Sequence, residues 1–175
     1  MEFIKEINHK ENLKKDGKTI TREAVRGIIL NNEKLLMIFS SENGDYKFPG
    51  GGNEIGETKE ETLVREVQEE CGALVSKIEK KIGKVIEYNK PLEKEYDVFK
   101  MTSYYYMCKV EENFCEQNLD QYEEELGFKP VWVNIDKAIQ NNKELLNSNS
   151  KKAPRWTKRD TYVMEQISWE PRDVI

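Results

Sequence analysis

A run of three glycines followed by a helix with two marked ends is the feature that most constrains this fold. The glycines are Gly50, Gly51 and Gly52. A helix begins after them, because Thr58 and Glu61 have the spacing of a capping box, in which each side chain bonds the other residue's backbone N–H. It ends at Gly72, since glycine readily adopts the left-handed conformation that closes many helices. The sequence therefore predicts a helix over residues 58–71, preceded by a turn without side chains.

The predicted helix carries three glutamates on one face: Glu66, Glu69 and Glu70. Positions i, i+3 and i+4 fall within about 100° of arc, which brings the carboxylates together. A solvated acidic surface is the plain interpretation. A functional one is favoured because an apolar stripe of Leu63, Val64 and Val67 on the opposite face anchors the helix on a sheet. A fixed set of oxygen ligands suits Mg²⁺ or Mn²⁺, and these ions commonly bridge phosphate oxygens.

Composition limits the classes to which the chain can belong. The apolar runs of the 175 residues are far shorter than the roughly 18 to 20 residues that cross a bilayer, and the first residues lack a signal-peptide segment. We therefore expect a cytoplasmic protein without a membrane partner. Three cysteines without metal-type spacing predict reduced thiols. The single histidine, His9, leaves little basis for Ser-His-Asp or Cys-His hydrolysis.

The charge balance bears on nucleic acid as a partner. A formal net charge of -5 argues against binding to a nucleic-acid backbone, which needs a clustered basic surface. One segment, residues 151–159, is locally basic and keeps RNA open as an alternative. We interpret this segment as the solvated start of a helix and predict no nucleic-acid partner.

The rest of the chain alternates strand and helix patterns. Residues 21–30 and 34–40 predict a β-hairpin, residues 74–88 and 96–110 two long antiparallel strands, and residues 128–133 a further strand. Residues 135–146 and 158–167 have the apolar spacing of surface helices. Strands and helices in this order predict an α/β fold around a mixed sheet, and we expect a single domain over residues 1–175.

Residues 51–73 resemble the Nudix box, Gly-x5-Glu-x7-Arg-Glu-aliphatic-x-Glu-Glu-x-Gly-aliphatic. The matching residues are Gly51, Glu57, Arg65, Glu66, Val67, Glu69, Glu70, Gly72 and Ala73. Every charged and glycine position matches, and only Ala73 is smaller than the usual aliphatic residue. The Phe48-Pro49 lead-in and the Val131-Trp132-Val133 segment are also similar to the family, so the likeness extends over most of the chain.

The resemblance implies a Nudix-type α/β/α sandwich and MutT-like hydrolysis of a nucleoside diphosphate linked to another group. It implies that Glu66, Glu69 and Glu70 are the catalytic, metal-binding glutamates and that the carbonyl of Gly50 joins the metal, Mg²⁺ or Mn²⁺. The residues implied to support the site are Gly51, Glu57, Arg65 and Gly72. In the family, Glu57 and Arg65 tend to pair and hold the loop on the helix, although an i+4 pair of Arg65 with Glu61 or Glu69 stays open.

Members of this family often use one further glutamate outside the box as ligand or base. The candidates here are Glu123, Glu124 and Glu125, in a run that also has the composition of a solvated loop. The mechanism implied is attack by a metal-activated water on a phosphorus of the diphosphate.

The substrate is a nucleotide, and its kind is the least constrained property. A nucleoside triphosphate, including an oxidised one, ranks first because the chain is compact, with ADP-ribose or another nucleotide sugar as the alternative. A non-catalytic nucleotide-sensing module is a different class, against which the intact glutamate set argues. Trp156, beside Arg155, is either a pocket wall or an exposed helix cap. The resemblance also implies a homodimer, although nothing in the chain fixes an interface.

Overall fold

The computed structural model describes residues 2–148 and 153–168. The elements in these residues are, in chain order, β1 (Phe3–Asn8), β2 (Thr19–Asn31), β3 (Lys34–Ser40), β4 (Asp45–Lys47), α1 (Lys59–Cys71), β5 (Val75–Asn89), β6 (Val98–Val110), α2 (Gln121–Glu125), β7 (Phe128–Asn134), α3 (Ile135–Asn147) and α4 (Arg155–Ser168). The strands form one sheet in the order β1-β5-β6-β2-β3-β4, with β7 paired to β3. None of the helices in the described residues is long and apolar enough to cross a membrane.

The sheet is mixed, as the sequence predicts. Strands β2 and β3 form the expected hairpin, and β5 and β6 form the expected long antiparallel pair. Strand β7 lies antiparallel to β3. Two pairs are parallel, β1 with β5 and β2 with β6. The second parallel pair places β2 in the interior of the sheet, where both of its faces are covered.

Three short elements are absent from the sequence prediction. Strand β1 lies in a polar stretch and pairs with β5, far along the chain. Strand β4 has three residues and falls where a polar loop is expected. Helix α2 has five residues within the acidic run that has the composition of a loop. Their brevity leaves no periodic pattern, so only long-range pairing and packing reveal them.

The two faces of the sheet bury two separate apolar clusters. Val25, Ile29, Leu36 and Ile38 pack with Leu63 and Val67 of α1 on one face. On the other face, Ile28, Leu35, Met37 and Tyr105 pack with residues of α3 and α4 such as Ala138, Val163 and Met164. Alternation along β2 and β3 sends successive side chains to opposite faces. The sheet therefore lies between two helical layers, which confirms the α/β/α sandwich.

Helix α1 has the ends that its sequence predicts. Thr58 and Glu61 form both bonds of the capping box, and Gly72 closes the helix at φ 68°. Leu63 and Val67 are fully buried, but Val64 is 39% exposed, so its assignment to the buried stripe is wrong. Thr62 and Glu70 are buried in its place, because the buried arc of α1 is rotated toward the glycine loop.

Helix α4 is far more buried than a surface helix. Seven of its 14 residues are buried, among them Arg159 and Asp160. Nε and Nη2 of Arg159 donate to the Asp160 carboxylate at 2.8 and 3.2 Å, and Nη1 donates to Glu87 at 3.1 Å. The interpretation of residues 151–159 as a solvated segment is therefore wrong for Arg159. Arg155 and Lys158 are exposed, and Lys151 and Lys152 lie outside the described residues.

Candidate functional site

A cavity of about 290 Å³ opens between the glycine loop, α1, α2 and α4. Its lining residues are Arg26, Lys47, Gly50, Gly51, Gly52, Glu66, Glu70, Asp120, Tyr122, Glu123, Phe128, Trp156 and Arg159. The cavity brings box residues together with residues from five other parts of the chain. Within the described residues, its lining includes Glu66 and Glu70 but not Glu69.

The glycine loop is held against β2 by backbone hydrogen bonds. The N–H of Val25 donates to the Gly51 carbonyl at 3.0 Å, and the N–H of Gly27 donates to the Pro49 carbonyl at 2.9 Å. Gly50 has φ +133°, and a Cβ there would overlap the Val25 carbonyl oxygen. A glycine is required at this position because β2 and the loop approach so closely. A Cβ at Gly51 would likewise overlap the Glu66 carboxylate, so the loop leaves that carboxylate its space.

Arg65 ties three carboxylates of the box together. Its Nε and Nη2 donate to Glu57 at 2.7 and 2.9 Å, and its Nη1 donates to Glu66 at 2.8 Å and Glu69 at 3.0 Å. The Glu57–Arg65 pair and the i+4 pair with Glu69 thus coexist. Hydrogen bonding to Arg65 lowers the pKa of Glu57 to about 2. Glu57 is therefore ionised at neutral pH and fixes the loop to α1.

Glu70 is buried rather than displayed on an exposed helix face. Its side chain accepts from the N–H of Gly50 at 2.7 Å and from the ammonium of Lys47. Only 1% of Glu70 is exposed, because the glycine loop and β4 cover this end of α1. The expectation that all three glutamates lie on an exposed face is therefore wrong for Glu70. Burial, and then the charge of Glu70, raise the pKa of Glu66.

The carboxylates suit a divalent cation by their chemistry, although basic side chains engage them. No group of three or more Asp, Glu, His or Cys side chains within residues 2–148 and 153–168 is arranged to hold a metal ion. Lys47 pairs with Glu70, and Arg65 pairs with Glu66 and Glu69. The donors themselves are oxygens only, which is the set that Mg²⁺ and Mn²⁺ prefer. Burial, and then the negative charge of Glu70, raise the pKa of Glu66, and a bound cation would favour its ionised form.

Of the candidate glutamates outside the box, Glu123, Glu124 and Glu125, it is Glu123 that lines the cavity. It is the N3 residue of α2, where its carboxylate accepts from the N–H of Asp120 at 3.0 Å. Burial raises its pKa to about 7, and the charge of Glu70 contributes in the same direction. A carboxylate with this pKa exchanges a proton near neutral pH, as a general base must.

The walls of the cavity contain Trp156, whose place the sequence leaves open, and two residues that the sequence does not suggest, Lys47 and Arg26. Trp156 is half-buried, and its Nε1 donates to Asp45 at 2.9 Å, so the indole is a pocket wall and not an exposed cap. Lys47 and Arg26 add positive charge. One signal was available for Arg26, since a single arginine interrupts the apolar run of β2. No sequence pattern connects Lys47 or Trp156 to the box.

Comparison with known proteins agrees with the box. A family model described as the NUDIX domain matches residues 21–157. A stretch of 85 residues is 40% identical to the ADP-ribose pyrophosphatase of Methanocaldococcus jannaschii, covering 46% of this chain and 50% of that protein. The match to this curated relative therefore spans half of its length.

Solved structures share the fold at low sequence identity. A NUDIX hydrolase from Nitrosomonas europaea superposes with a TM-score of 0.58 at 17% identity, covering 89% of this chain and 96% of that one. A MutT protein from Bacillus halodurans gives a TM-score of 0.54 at 18% identity, covering 86% of this chain and 84% of that one. At these identities the likeness supports the fold alone.

The sandwich, the glycine loop and the acidic helix together define a Nudix-type domain. The chain belongs to the Nudix hydrolase family, as the box in its sequence predicts. Members of this family generally use a divalent metal ion.

Proposed function

We propose that this protein hydrolyses the diphosphate bond of a nucleoside diphosphate linked to a second group, with Mg²⁺ as its metal ion. The observation that carries this proposal is the convergence of Glu66, Glu70 and Glu123, from two helices, on one cavity behind the glycine loop. A structural acidic surface gives no reason for the burial of Glu70 or for a glycine loop that leaves space around Glu66.

The likeness to the Nudix box supports the roles of the residues, and Glu69 is assigned on that likeness alone because it does not line the cavity. Glu66, Glu69 and Glu70, with the carbonyl of Gly50, would hold the metal ion, which supplies charge to activate water and to offset the departing phosphate. Lys47 competes with a cation for Glu70. Arg65 and Glu57 keep the loop and the helix in register, while Gly51 leaves space for the Glu66 carboxylate and Gly72 allows the close approach of the Cys115 carbonyl.

Glu123 takes the proton in this mechanism. As water attacks a phosphorus of the diphosphate, the Glu123 carboxylate accepts its proton, and the bridging P–O bond breaks. The products are a nucleoside monophosphate and the phosphorylated second group. The pKa of about 7 for Glu123 suits a base that must be ionised before the reaction and must hold a proton after it.

Among substrates, ADP-ribose takes the first place. The compact chain favours a nucleoside triphosphate, but the 40% identity over 85 residues is to a protein named for ADP-ribose hydrolysis. The cavity is open beside Trp156 and Tyr122, whose rings offer surfaces for stacking a nucleobase. Nucleoside triphosphates, oxidised ones included, are the second candidate substrates. The single-domain organisation and the homodimer both stay predictions.

The first experiment measures product release from a panel of ADP-ribose, other nucleotide sugars, nucleoside triphosphates and oxidised nucleotides, with and without Mg²⁺. We expect one strongly preferred, metal-dependent substrate. Glu70→Gln should lower turnover by about 100-fold or more, since a ligand of the metal ion that offsets transition-state charge is lost. Glu69→Gln should also lower turnover, and an equal rate in both variants and the wild type would remove the metal assignment.

Glu60→Gln is the matched control, because Glu60 lies exposed on the same helix outside the cavity. Its turnover should equal that of the wild type. Calorimetric titration with Mn²⁺ separates a lost metal ligand from a lost fold, since Glu70→Gln is expected to weaken metal binding while retaining its circular dichroism spectrum. Nucleotide binding without hydrolysis of any substrate would instead favour a sensing module.

A further inference from the structure

Arg26 is a buried cation of the cavity that forms no ion pair with any of the described residues. It lies on β2, lines the cavity and is 9% exposed. Its Nε has no hydrogen-bond partner among the described residues, and none of the ion pairs formed by those residues includes Arg26. A buried donor that is left unpaired destabilises a fold. The arginine is therefore a cost to the folded protein unless a ligand satisfies it.

The other two cations of the cavity differ from Arg26 because each is neutralised within the protein. Lys47 pairs with Glu70, and Arg159 is held by Asp160 and Glu87. Arg159 is thus hydrogen-bonded to two carboxylates, whereas Asp160 and Glu70 act on Arg26 through their charge, without a hydrogen bond among the described residues. Burial, and then the positive charge of Arg159, lower the pKa of Arg26, which is the response of a guanidinium in an unfavourable position.

The position of Arg26 puts it next to the reacting groups. The Cα of Arg26 is 2.9 Å from the place that a Cβ on Gly50 would occupy, so its backbone touches the loop whose N–H bonds Glu70. Arg26 and Glu66 also line the same cavity. A substrate group held between the loop and α1 therefore lies within the field of Arg26.

We infer that Arg26 binds a phosphate oxygen of the substrate and so selects ligands that carry a diphosphate. This inference rests on the proposed function. The planar guanidinium forms strong charge-assisted bonds with phosphate oxygens, and a site with little water strengthens them. Nε is enclosed by the protein, but the terminal Nη atoms of Arg26 are not among the buried unpartnered atoms and form no hydrogen bond with the described residues, so a phosphate oxygen in the cavity can bond to them. Glu66 and Glu70 would hold the cation, and Arg26 beside them would hold an anionic oxygen of the phosphate.

The test compares two variants of equal charge change on one strand. Arg26→Met removes the buried guanidinium, and Arg22→Met removes an exposed one four residues earlier on β2. The probes are α,β-methylene-ADP, a diphosphate that cannot be hydrolysed at its bridge, and adenosine, each titrated calorimetrically with Mg²⁺ present. We expect Arg26→Met to weaken binding of the diphosphate at least tenfold, and Arg22→Met to change it less than twofold.

A second measurement separates a ligand contact from a structural role. Without ligand, Arg26→Met should melt at the same temperature as the wild type or higher, because an unpaired buried charge has been removed. Lower melting temperatures for both Arg26→Met and Arg26→Gln, with binding lost in parallel, would overturn the inference. Diphosphate binding by Arg26→Met within twofold of the wild type would overturn it too, and so would an equal loss for adenosine, which places Arg26 on the base.

The hydrolysis panel keeps this inference distinct from the proposed function. Hydrolysis by the wild type together with unchanged diphosphate binding by Arg26→Met would reject the role of Arg26 and leave the hydrolase standing. Binding that depends on Arg26 without hydrolysis of any substrate would reject the hydrolase and leave the phosphate contact standing.

Discussion

Asp160 is the buried carboxylate whose loss should most weaken the cavity wall. It is fully buried and accepts four hydrogen bonds, from the Tyr105 hydroxyl at 2.7 Å, the Phe48 N–H at 3.1 Å, and Arg159 at 2.8 and 3.2 Å. Asp160→Asn keeps the volume but removes the charge and turns one acceptor into an NH₂ donor. That donor then faces groups that are themselves donors, and Arg159 retains only Glu87 as a charged partner.

Breaking a buried ion pair by removing one partner costs about 3–5 kcal/mol. Because Arg159 keeps its bond to Glu87 at 3.1 Å, we expect the lower part of this range. For a chain of this size, each kcal/mol shifts the melting temperature by about 2–4 °C, so Asp160→Asn should melt about 6–12 °C below the wild type. The assay is thermal and urea denaturation followed by circular dichroism.

The control is Glu165→Gln on the same helix, which removes an ion pair with Lys143 at 2.6 Å that is partly exposed. Such pairs contribute about 1 kcal/mol or less, so this variant should melt close to the wild type. A loss below about 1 kcal/mol for Asp160→Asn would refute the reasoning, because it would mean that the buried network contributes no more than a surface pair.

Gly72→Ala should destabilise the protein more than Gly56→Ala, because both glycines have positive φ but only at Gly72 would the new Cβ overlap a neighbour, the Cys115 carbonyl oxygen; equal losses in urea denaturation would contradict this. For Glu123, with a pKa of about 7, we expect kcat/KM to rise with pH up to about 7 in the wild type and in Glu124→Gln, and this rise to vanish in Glu123→Gln. Burial raises the pKa of Glu123 in the folded state, so between pH 4.5 and about 7 the folded protein keeps a proton on Glu123 that the unfolded chain has lost. The contribution of Glu123 to the free energy of unfolding therefore declines as pH rises from about 4.5 to about 7. Thermal melts of Glu123→Gln should lack this decline, and an identical pH dependence in variant and wild type would count against the assignment.

The sequence predicts elements whose signals are local. The ends of α1 follow from Thr58, Glu61 and Gly72, which act within a few residues of one another. The β2–β3 hairpin follows from two apolar runs that flank a short polar turn. The clustering of the box glutamates can be predicted for the same reason, since helical spacing alone places Glu66 near Glu70.

The surroundings of the box glutamates depend on contacts between distant parts of the chain. Lys47 reaches Glu70 from β4, a strand too short to leave a pattern. Arg159 belongs to a basic run, and such runs are usually exposed to solvent. Here Arg159 is buried, and it forms an ion pair with Glu87 on β5. Burial of Glu70 likewise results from the glycine loop folding over α1. Helical periodicity carries no information on any of these contacts.

The parallel pairing of β2 with β6 has a consequence for synthesis of the chain. Thr19 pairs with Val98, and Trp156 and Arg159 of α4 are made later still. On a ribosome that adds about 5–20 residues per second, β2 emerges seconds before its partner. The nascent chain thus passes through an interval in which the Nudix box is complete, β2 has an open edge, and the parts of the cavity wall that come from α2, β7 and α4 have not been made.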